Sequence, residues 1–240
     1  MPNWCDNFII ISGDTDKMKP IYDYFQKSEQ ALEEVNKLRR EAVAAGKSMN
    51  DALEQFQYEE NLVMNTLVPR DAEYDRIVEQ GDFLLNPQTT FYGTKWDFNF
   101  FEANLGSITE DEIIINPQTA WSPCNAFCQK LSAKYGVDVV IQYEEPGSAF
   151  IGRIEYSNGE IEEQEHYEDG DNGTKSYMRG LFELDRDLFW SRVESDLEYD
   201  LSNEHPQTCI QYIEKTIPFI PEELVMEVEN IYNQIKDDNE

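Results

Sequence analysis

The apolar positions near the start of the chain follow two different periods. Residues 8–11 form an unbroken apolar run that Ser12 and Gly13 close, which predicts a buried strand. The next apolar residues recur at helical spacing, and Asp14 or Thr15 can cap that helix. They are Met18, Ile21, Tyr22 and Phe25. The chain is therefore expected to begin with a β-strand and an α-helix.

Residues 28–60 carry a heptad-like seam of apolar residues. The seam is interrupted at Ala45-Gly46-Lys47-Ser48, where a glycine can end one helix and a serine can cap the next. We expect a helical hairpin rather than one long rod. It either packs on the domain or protrudes as an arm that makes a homo-oligomer contact.

Aromatic residues are dense between Phe91 and Phe101, and most of them alternate with other residues. This alternation predicts a central strand with Trp96, Phe98 and Phe100 on one face. Lys95 and Asp97 are expected on the other face. The rest of the first 156 residues is predicted to cover this strand.

Strand and turn signals continue after this stretch. We expect a turn at Gly106-Ser107, strands over 112–116, 137–143, 149–156 and 160–167, and a type I′ turn at Asn158-Gly159. A helix is predicted between the first two of these strands, with Ser122 as its N-cap, Pro123 in its first turn and Gly136 at its end. This order predicts an α+β fold with a ferredoxin-like split βαβ antiparallel sheet.

Beyond Gly180 the apolar spacing becomes helical. Leucines and a valine between Leu184 and Leu201 predict one acidic helix, Thr208–Ile217 predicts a short one, and Pro221 opens a last helix. We therefore expect a ferredoxin-like domain over residues 1–180, with its helical-hairpin insertion, and an acidic helical extension over 181–240.

Five short phrases in the first 157 residues resemble one known family when they are taken in order. They are Met1–Asn7, Thr66–Pro69, Tyr92–Asp97, Thr119–Pro123, and Tyr143–Gly147 with Phe150–Gly152. They are similar to the Api92-like proteins, also described as the YubB ferredoxin-like domain, which occur on phages and plasmids. The chain departs from the family pattern at Phe91, Tyr92 and Cys124 and adds residues 28–60. The resemblance implies a ferredoxin-like fold and a mobile-element origin, and it implies no activity and no catalytic residue.

The chain carries a large excess of negative charge. The chain has 49 acidic residues against 19 lysines and arginines, a net charge of -30, and residues 151–240 alone carry 24 acidic and seven basic residues. Such a surface repels nucleic acid and anionic membranes and attracts basic proteins. No apolar run is long enough to span a bilayer, and the N-terminus lacks the features of a signal peptide, so we expect a cytoplasmic protein.

Residues for catalysis or metal binding are scarce. His166 and His205 lie among acidic residues, which favour a protonated ring, and a protonated ring is a poor ligand and a poor base. The four cysteines are expected to be free and buried. The Asp169–Gly173 stretch departs from the calcium-loop pattern. We expect no enzyme activity, no metal and no cofactor.

The carboxylates after residue 150 are the leading functional candidates. If residues 160–167 form a strand, alternate residues share one face. The expected partner-binding residues are Glu160, Glu162, Glu163, Glu165, Glu183, Asp185, Asp187, Glu194, Asp196, Glu198 and Asp200. We expect them to bind and inhibit a basic host protein, such as a defence or restriction component, by imitating DNA. The alternatives are a solvated acidic surface without a partner, and a small-ligand pocket built from Lys95, Trp96, Trp121 and Arg153.

Overall fold

A β-strand, β1 (Trp4–Ser12), forms the middle of the sheet. The computed structural model describes residues 3–45, 62–80, 86–98, 103–170, 176–202 and 208–238. After β1 come α1 (Thr15–Ala44), α2 (Val63–Leu67), α3 (Ala72–Gln80), α4 (Pro87–Tyr92), β2 (Leu105–Ile108), β3 (Glu112–Ile115) and β4 (Gln118–Ala120). They are followed by α5 (Asn125–Tyr135), β5 (Asp138–Glu145), β6 (Phe150–Ser157), β7 (Glu160–Glu168), α6 (Tyr177–Leu184), α7 (Arg186–Leu201), α8 (Cys209–Thr216) and α9 (Glu222–Asp238).

The strand order β2-β3-β1-β5-β6-β7 confirms the ferredoxin-like arrangement. β3 lies between β1 and β2, and β1 lies between β3 and β5, so each βαβ unit is split by a strand from the other unit. The pairings of β1 with β3 and β5 are antiparallel, with Ile9 opposite both Ile115 and Ile141. β4 continues beside β1 after an interruption at Asn116-Pro117. β6 and β7 extend the sheet.

Alternation along the strands gives the sheet an inner and an outer face. The inner face carries Cys5, Asn7, Ile9 and Ile11 of β1, all buried. Met18, Ile21 and Phe25 of α1 and Phe127 and Leu131 of α5 are buried as well, which is the expected result of helices covering one face of a sheet. The apolar run and the helical spacing at the start of the chain therefore predicted both elements, and Ile9 and Ile11 lie in the core as expected. Phe8 is exposed and Ile10 is partly exposed, because alternate residues of a strand face opposite sides of the sheet.

The predicted central strand over 91–101 is wrong. Asn86 caps α4 by accepting the Gln88 N–H, Pro87 follows the cap, and Gly93 ends the helix in the left-handed region at φ 93°. A Cβ at Gly93 would lie 2.9 Å from the Pro123 carbonyl oxygen. These local helix signals at both ends override the aromatic alternation. Residues 99–102 lie outside the described residues.

The true second strand of the ferredoxin-like unit is β2, which contains Gly106 and Ser107 where a turn was predicted. The turn lies at 109–111, where the Thr109 hydroxyl donates to Asp111 Oδ1 at 2.7 Å and the Thr109 N–H donates to the Glu112 carbonyl. Gly106 suits a strand here because a Cβ would lie only 3.1 Å from Ile114 Cγ2.

One predicted helix cap is also wrong. α5 begins at Asn125 with Cys124 as its N-cap, because the Ser122 hydroxyl instead donates to the Gly93 carbonyl at 2.6 Å. The helix predicted between Leu184 and Leu201 is confirmed as α7, which Asp185 caps by accepting the Leu188 N–H, and Leu184 is the last residue of α6. α6 runs through Gly180, so the boundary placed there falls inside a helix.

α1 is continuous from Thr15 to Ala44, so the predicted first helix and the first half of the predicted hairpin are one helix, which ends where the interruption at Ala45-Gly46 was expected. Residues 46–61 lie outside the described residues. The hairpin's second half and its oligomer contact therefore stay predictions.

The described chain divides into two compact units. The first comprises residues 1–147 and 153–165, and the second comprises residues 148–152 and 166–240. The second unit has a core of its own, with Leu181, Phe189, Val193, Leu197 and Val228 fully buried. Among the described residues, no helix combines the length and the apolar composition needed to cross a bilayer.

Candidate binding surface on the outer face of the sheet

The outer face of the sheet is acidic and aromatic. We define it by β1 residues Trp4, Asp6 and Phe8, by Glu144 of β5, by Arg153 and Glu155 of β6, and by Glu163 and Glu165 of β7. Trp4 is 46% exposed and Phe8 is 41% exposed. Asp6 lies directly opposite Glu144 in the β1–β5 pairing, so two carboxylates are neighbours on this face. Arg153 is the cation among these eight residues, and it pairs with Glu155 and, at 3.8 Å, with Glu163.

A chain of hydrogen bonds fixes the backbone beside Trp4. The buried Asn7 Nδ2 donates to Thr119 Oγ1 at 2.9 Å and to the Pro117 carbonyl at 3.1 Å. The Thr119 hydroxyl donates to the Ser122 carbonyl at 2.7 Å. These bonds hold the residues before and after β4 in one arrangement.

Hydrogen bonds also join the residues that follow α4 to β4 and to the residues just after it. The Ser122 hydroxyl donates to the Gly93 carbonyl, and the Thr94 hydroxyl donates to the Ala120 carbonyl at 3.1 Å. As a result, Trp96 reaches Trp4, with 6.2 Å between the ring centroids and 54° between the ring planes. The Lys95 Nζ lies 5.2 Å from the centroid of the Trp96 ring.

Trp121 has a strained backbone at the end of β4. Its φ is 71°, in the left-handed region that bulky residues rarely adopt, and its N–H donates to the Asn3 carbonyl at 2.9 Å. The Trp121 side chain is 48% exposed. Strain of this kind costs about 1–3 kcal/mol and persists where the surrounding bonds over-determine it.

The four residues proposed for a small-ligand pocket have different surroundings. Trp96 and Trp121 are half-exposed at the surface. Lys95 lies over Trp96, whereas Arg153 is paired with glutamates on β6 and β7. Trp4, Asp6 and Phe8 were not singled out from the sequence. The sequence did contain a sign of this surface, because Trp4 and Phe8 are aromatic residues at positions of β1 that alternation places on the outer face.

The acidic edge, defined as Glu160, Glu162, Glu163 and Glu165 of β7, lies on the last strand of the sheet. Glu160, Glu162 and Glu163 are exposed, and Glu165 is partly buried. Glu163 shares the outer face with Arg153, and alternation places Glu160 and Glu162 on the opposite face. The edge strand therefore presents carboxylates to both sides.

The acidic residues predicted on 183–200 do not form one face. Glu183, Asp187, Glu194 and Glu198 are exposed. Asp185 caps α7, and Asp196 Oδ2 accepts a hydrogen bond from the Tyr212 hydroxyl at 3.4 Å. Asp200 lies four residues after Asp196 on the same side of α7. Burial and the charge of Asp196 raise the pKa of Tyr212 well above its usual range.

The four cysteines are buried and free, as predicted. Burial raises the pKa of the Cys5 thiol well above its usual range, and Cys124 has a raised pKa chiefly because of a hydrogen bond with Cys128. Such thiols are not thiolates at neutral pH and are poor nucleophiles. His166 Nε2 lies 3.5 Å from Glu168, and His205 lies outside the described residues. Within the described ranges, no three metal-binding side chains come together.

The topology and this face define a ferredoxin-like domain with two additional edge strands. Residues 91–183 match a family model described as "Ferredoxin-like domain in Api92-like protein". Over these residues the chain is similar to that family, and the resemblance carried by the phrases from Tyr92 onward is confirmed. The phrases Met1–Asn7 and Thr66–Pro69 lie outside the matched residues.

One solved structure is similar, the crystal structure of a protein api92 from Yersinia pseudotuberculosis. It shares 10% identity with a TM-score of 0.40 over 71% of this chain and 99% of that chain. No curated protein matches the chain.

Proposed function

We propose that this protein binds a basic protein partner through its acidic surface and occupies the surface on which that partner binds nucleic acid. The observation that carries the proposal is the acidic edge on β7, which presents carboxylates to both sides of the sheet. Residues on one side of a strand repeat about every 7 Å, so the edge offers a regular row of negative charge. The net charge of -30 adds long-range attraction for cationic surfaces.

The proposed target is a nucleic-acid-binding host protein, such as a defence or restriction component, and the proposed origin of the chain is a phage or plasmid. Both follow from the Api92-like domain together with the acidity. Binding would inhibit the target because the acidic surface and nucleic acid compete for the same cations. No catalytic step is part of this proposal.

The proposal is tested with a fluorescent arginine-rich peptide as a defined basic partner. Its affinity for the full chain is measured by anisotropy at about 50 and 300 mM NaCl, and we expect a loss of about tenfold or more at the higher salt. The chain is also expected to displace the peptide from a DNA duplex. An affinity that does not change with salt, or a failure to displace the peptide, would overturn the proposal.

A matched pair of variants separates the acidic edge from overall charge. One variant reverses Glu160, Glu162, Glu163 and Glu165 to lysine, and the control reverses the exposed Glu214, Glu223, Glu227 and Asp237. Both have the same net charge. We expect the edge variant to bind about tenfold more weakly than the control. Equal losses in the two variants would contradict a role for the edge, and glutamine substitutions at the four edge positions check that folding is unaffected.

A further inference from the structure

Three short segments meet beside β1, namely residues 3–7, 92–97 and 119–123. Each of them has one tryptophan at the surface. In residues 92–97, Gly93 and Thr94 fix the loop, and the Asp97 carboxylate accepts the Met64 and Asn65 N–H groups. Trp96 is 46% exposed. The polar and small residues of this phrase therefore build the fold, whereas Trp96 and Lys95 project into solvent.

The other two phrases divide in the same way. In residues 3–7, Cys5 and Asn7 are buried, and Trp4 and Asp6 are exposed. In residues 119–123, Thr119 and Ser122 are used in hydrogen bonds, and Trp121 is exposed. Exposed tryptophans contribute little to a core, and a pair that is held in place by a buried hydrogen-bond network is typical of a binding surface.

Trp4 and Trp96 form a tilted pair that already holds a cation. The two rings are 6.2 Å apart, and the Lys95 ammonium lies over the Trp96 ring at 5.2 Å. The face of an indole attracts a cation through the ring quadrupole, and arginine is the most frequent partner because its planar guanidinium also stacks. At this separation and tilt the rings leave no room for a group between them, so the pair suits a flat cation over an exposed ring face.

Counter-ions for such a cation lie on the same face. Asp6 follows Trp4 on the outer face of β1, about 7 Å along the strand. Glu144 lies opposite Asp6. Asp6 Oδ1 already accepts the Gln118 Nε2 amide at 2.7 Å. A guanidinium on the Trp4–Trp96 pair therefore pairs with Asp6 through the second carboxylate oxygen, and a charge-assisted hydrogen bond of this kind strengthens the contact.

We propose that Trp4 and Trp96, with Asp6 and Glu144 beside them, form a receptor for an arginine side chain of the basic partner. This inference rests on the proposed function and adds a specific anchor to its long-range attraction. Lys95 acts as a built-in occupant that the incoming arginine displaces.

Stacked nucleic-acid bases are the competing occupant of two exposed tryptophans. The carboxylates of Asp6 and Glu144 repel a phosphate backbone, and the chain as a whole carries a net charge of -30. Charge complementarity therefore favours the cation. The two occupants also make opposite predictions for Lys95, since removing a cation helps an arginine to bind and weakens a nucleic acid.

The test uses the full chain and an unstructured peptide with one arginine flanked by neutral residues, compared with its lysine and citrulline forms. Trp4→Ala and Trp96→Ala are each expected to weaken arginine-peptide binding about fivefold to tenfold, the range of a desolvated cation–π contact. Trp4→Phe and Trp96→Phe should restore part of the affinity. Trp121→Ala is the matched control, because Trp121 is equally exposed, and it should change the affinity less than twofold.

The direction in which Lys95→Ala changes the affinity for the arginine peptide distinguishes the two occupants. We expect about a twofold to fivefold gain in arginine-peptide affinity, because the competing cation is gone. A loss of affinity on Lys95→Ala, equal binding of the citrulline peptide, or tighter binding of a single-stranded oligonucleotide would overturn the receptor.

The outcomes for the two proposals are distinguishable. If the receptor is wrong and the acidic surface is right, the arginine-rich peptide keeps its steep salt dependence and the tryptophan variants bind it normally. If the acidic surface is wrong and the receptor is right, the tryptophan variants lose affinity while the salt dependence is shallow. Circular dichroism of each variant confirms that the fold is retained.

Discussion

The Asp97 carboxylate caps a helix that lies more than 30 residues earlier in the chain: Oδ1 accepts the Met64 N–H at 2.9 Å, and Oδ2 accepts the Asn65 N–H at 2.8 Å. α2 has no cap of its own, because Leu62 offers no side-chain acceptor. Asp97 thus joins the loop after α4 to the first turn of α2. Burial nevertheless raises the pKa of Asp97 to about 6, and these backbone hydrogen bonds oppose the shift.

Asp97 should make stability depend on pH in an unusual direction. Between about pH 4 and 6 the folded chain holds a proton on Asp97 that the unfolded chain has released, so the free energy of unfolding falls as pH rises through this window. In urea denaturation, the stability of the wild type relative to Asp97→Asn should be about 2 kcal/mol greater at pH 4.5 than at pH 7.5. Because the difference between the two proteins removes the effect of all other carboxylates, parallel pH profiles would contradict this assignment.

Gly180→Ala should destabilise the second unit although it places alanine inside a helix. In an open helix this change stabilises by about 1 kcal/mol. Here a Cβ would lie 2.5 Å from Ile151 Cγ2 and 2.6 Å from Tyr167 Cβ. We expect a loss of about 2 kcal/mol by thermal or chemical denaturation, since core overpacking of this kind costs 1–3 kcal/mol. A stabilised variant would show that α6 lies further from these two residues.

The positive φ of Trp121 predicts a difference in stability between two substitutions at this position. Both Trp121→Ala and Trp121→Gly remove the ring, but only glycine adopts a φ of 71° without strain. The glycine variant should therefore be about 1 kcal/mol more stable than the alanine variant. The measurement is a pair of urea melts at one pH, and equal midpoints would mean that Trp121 is not strained.

The cysteines should be unreactive in the folded protein. All four are buried, and burial raises the pKa of Cys5 and, less strongly, that of Cys209. A thiol reagent such as DTNB is expected to label none of them at pH 8 without denaturant and all four in urea. Rapid labelling of one native thiol would point to local opening at that cysteine.

Some parts of the fold could be predicted because the local and the long-range signals agree there. The helical spacing that starts at Met18 selects Met18, Ile21 and Phe25, which are all buried, and the apolar run at 8–11 does form part of β1. Asn158 and Gly159 both have positive φ, which confirms the type I′ turn. The capping box at Thr208 likewise begins α8 at the residue that the sequence indicates.

The aromatic stretch from Phe91 failed because two signals compete within it. Tyr92 belongs to a capped helix and donates to the Val68 carbonyl at 2.7 Å, whereas Trp96 belongs to a loop that long-range hydrogen bonds hold. Alternation cannot separate these environments. The candidate receptor was missed for a related reason, since Trp4 and Trp96 become neighbours only after β4 pairs with β1.

The position of β1 in the middle of the sheet also has a consequence for synthesis on the ribosome. Its first pairing partner comes late, since Ile9 pairs with Ile115 of β3, more than 100 positions later, and must then wait for Ile141 of β5 on its other side. At about 5–20 residues per second, the apolar run of β1 leaves the exit tunnel many seconds before any strand can cover it. The nascent chain thus exposes an apolar segment early, and its yield in cells should depend on chaperones that bind such segments.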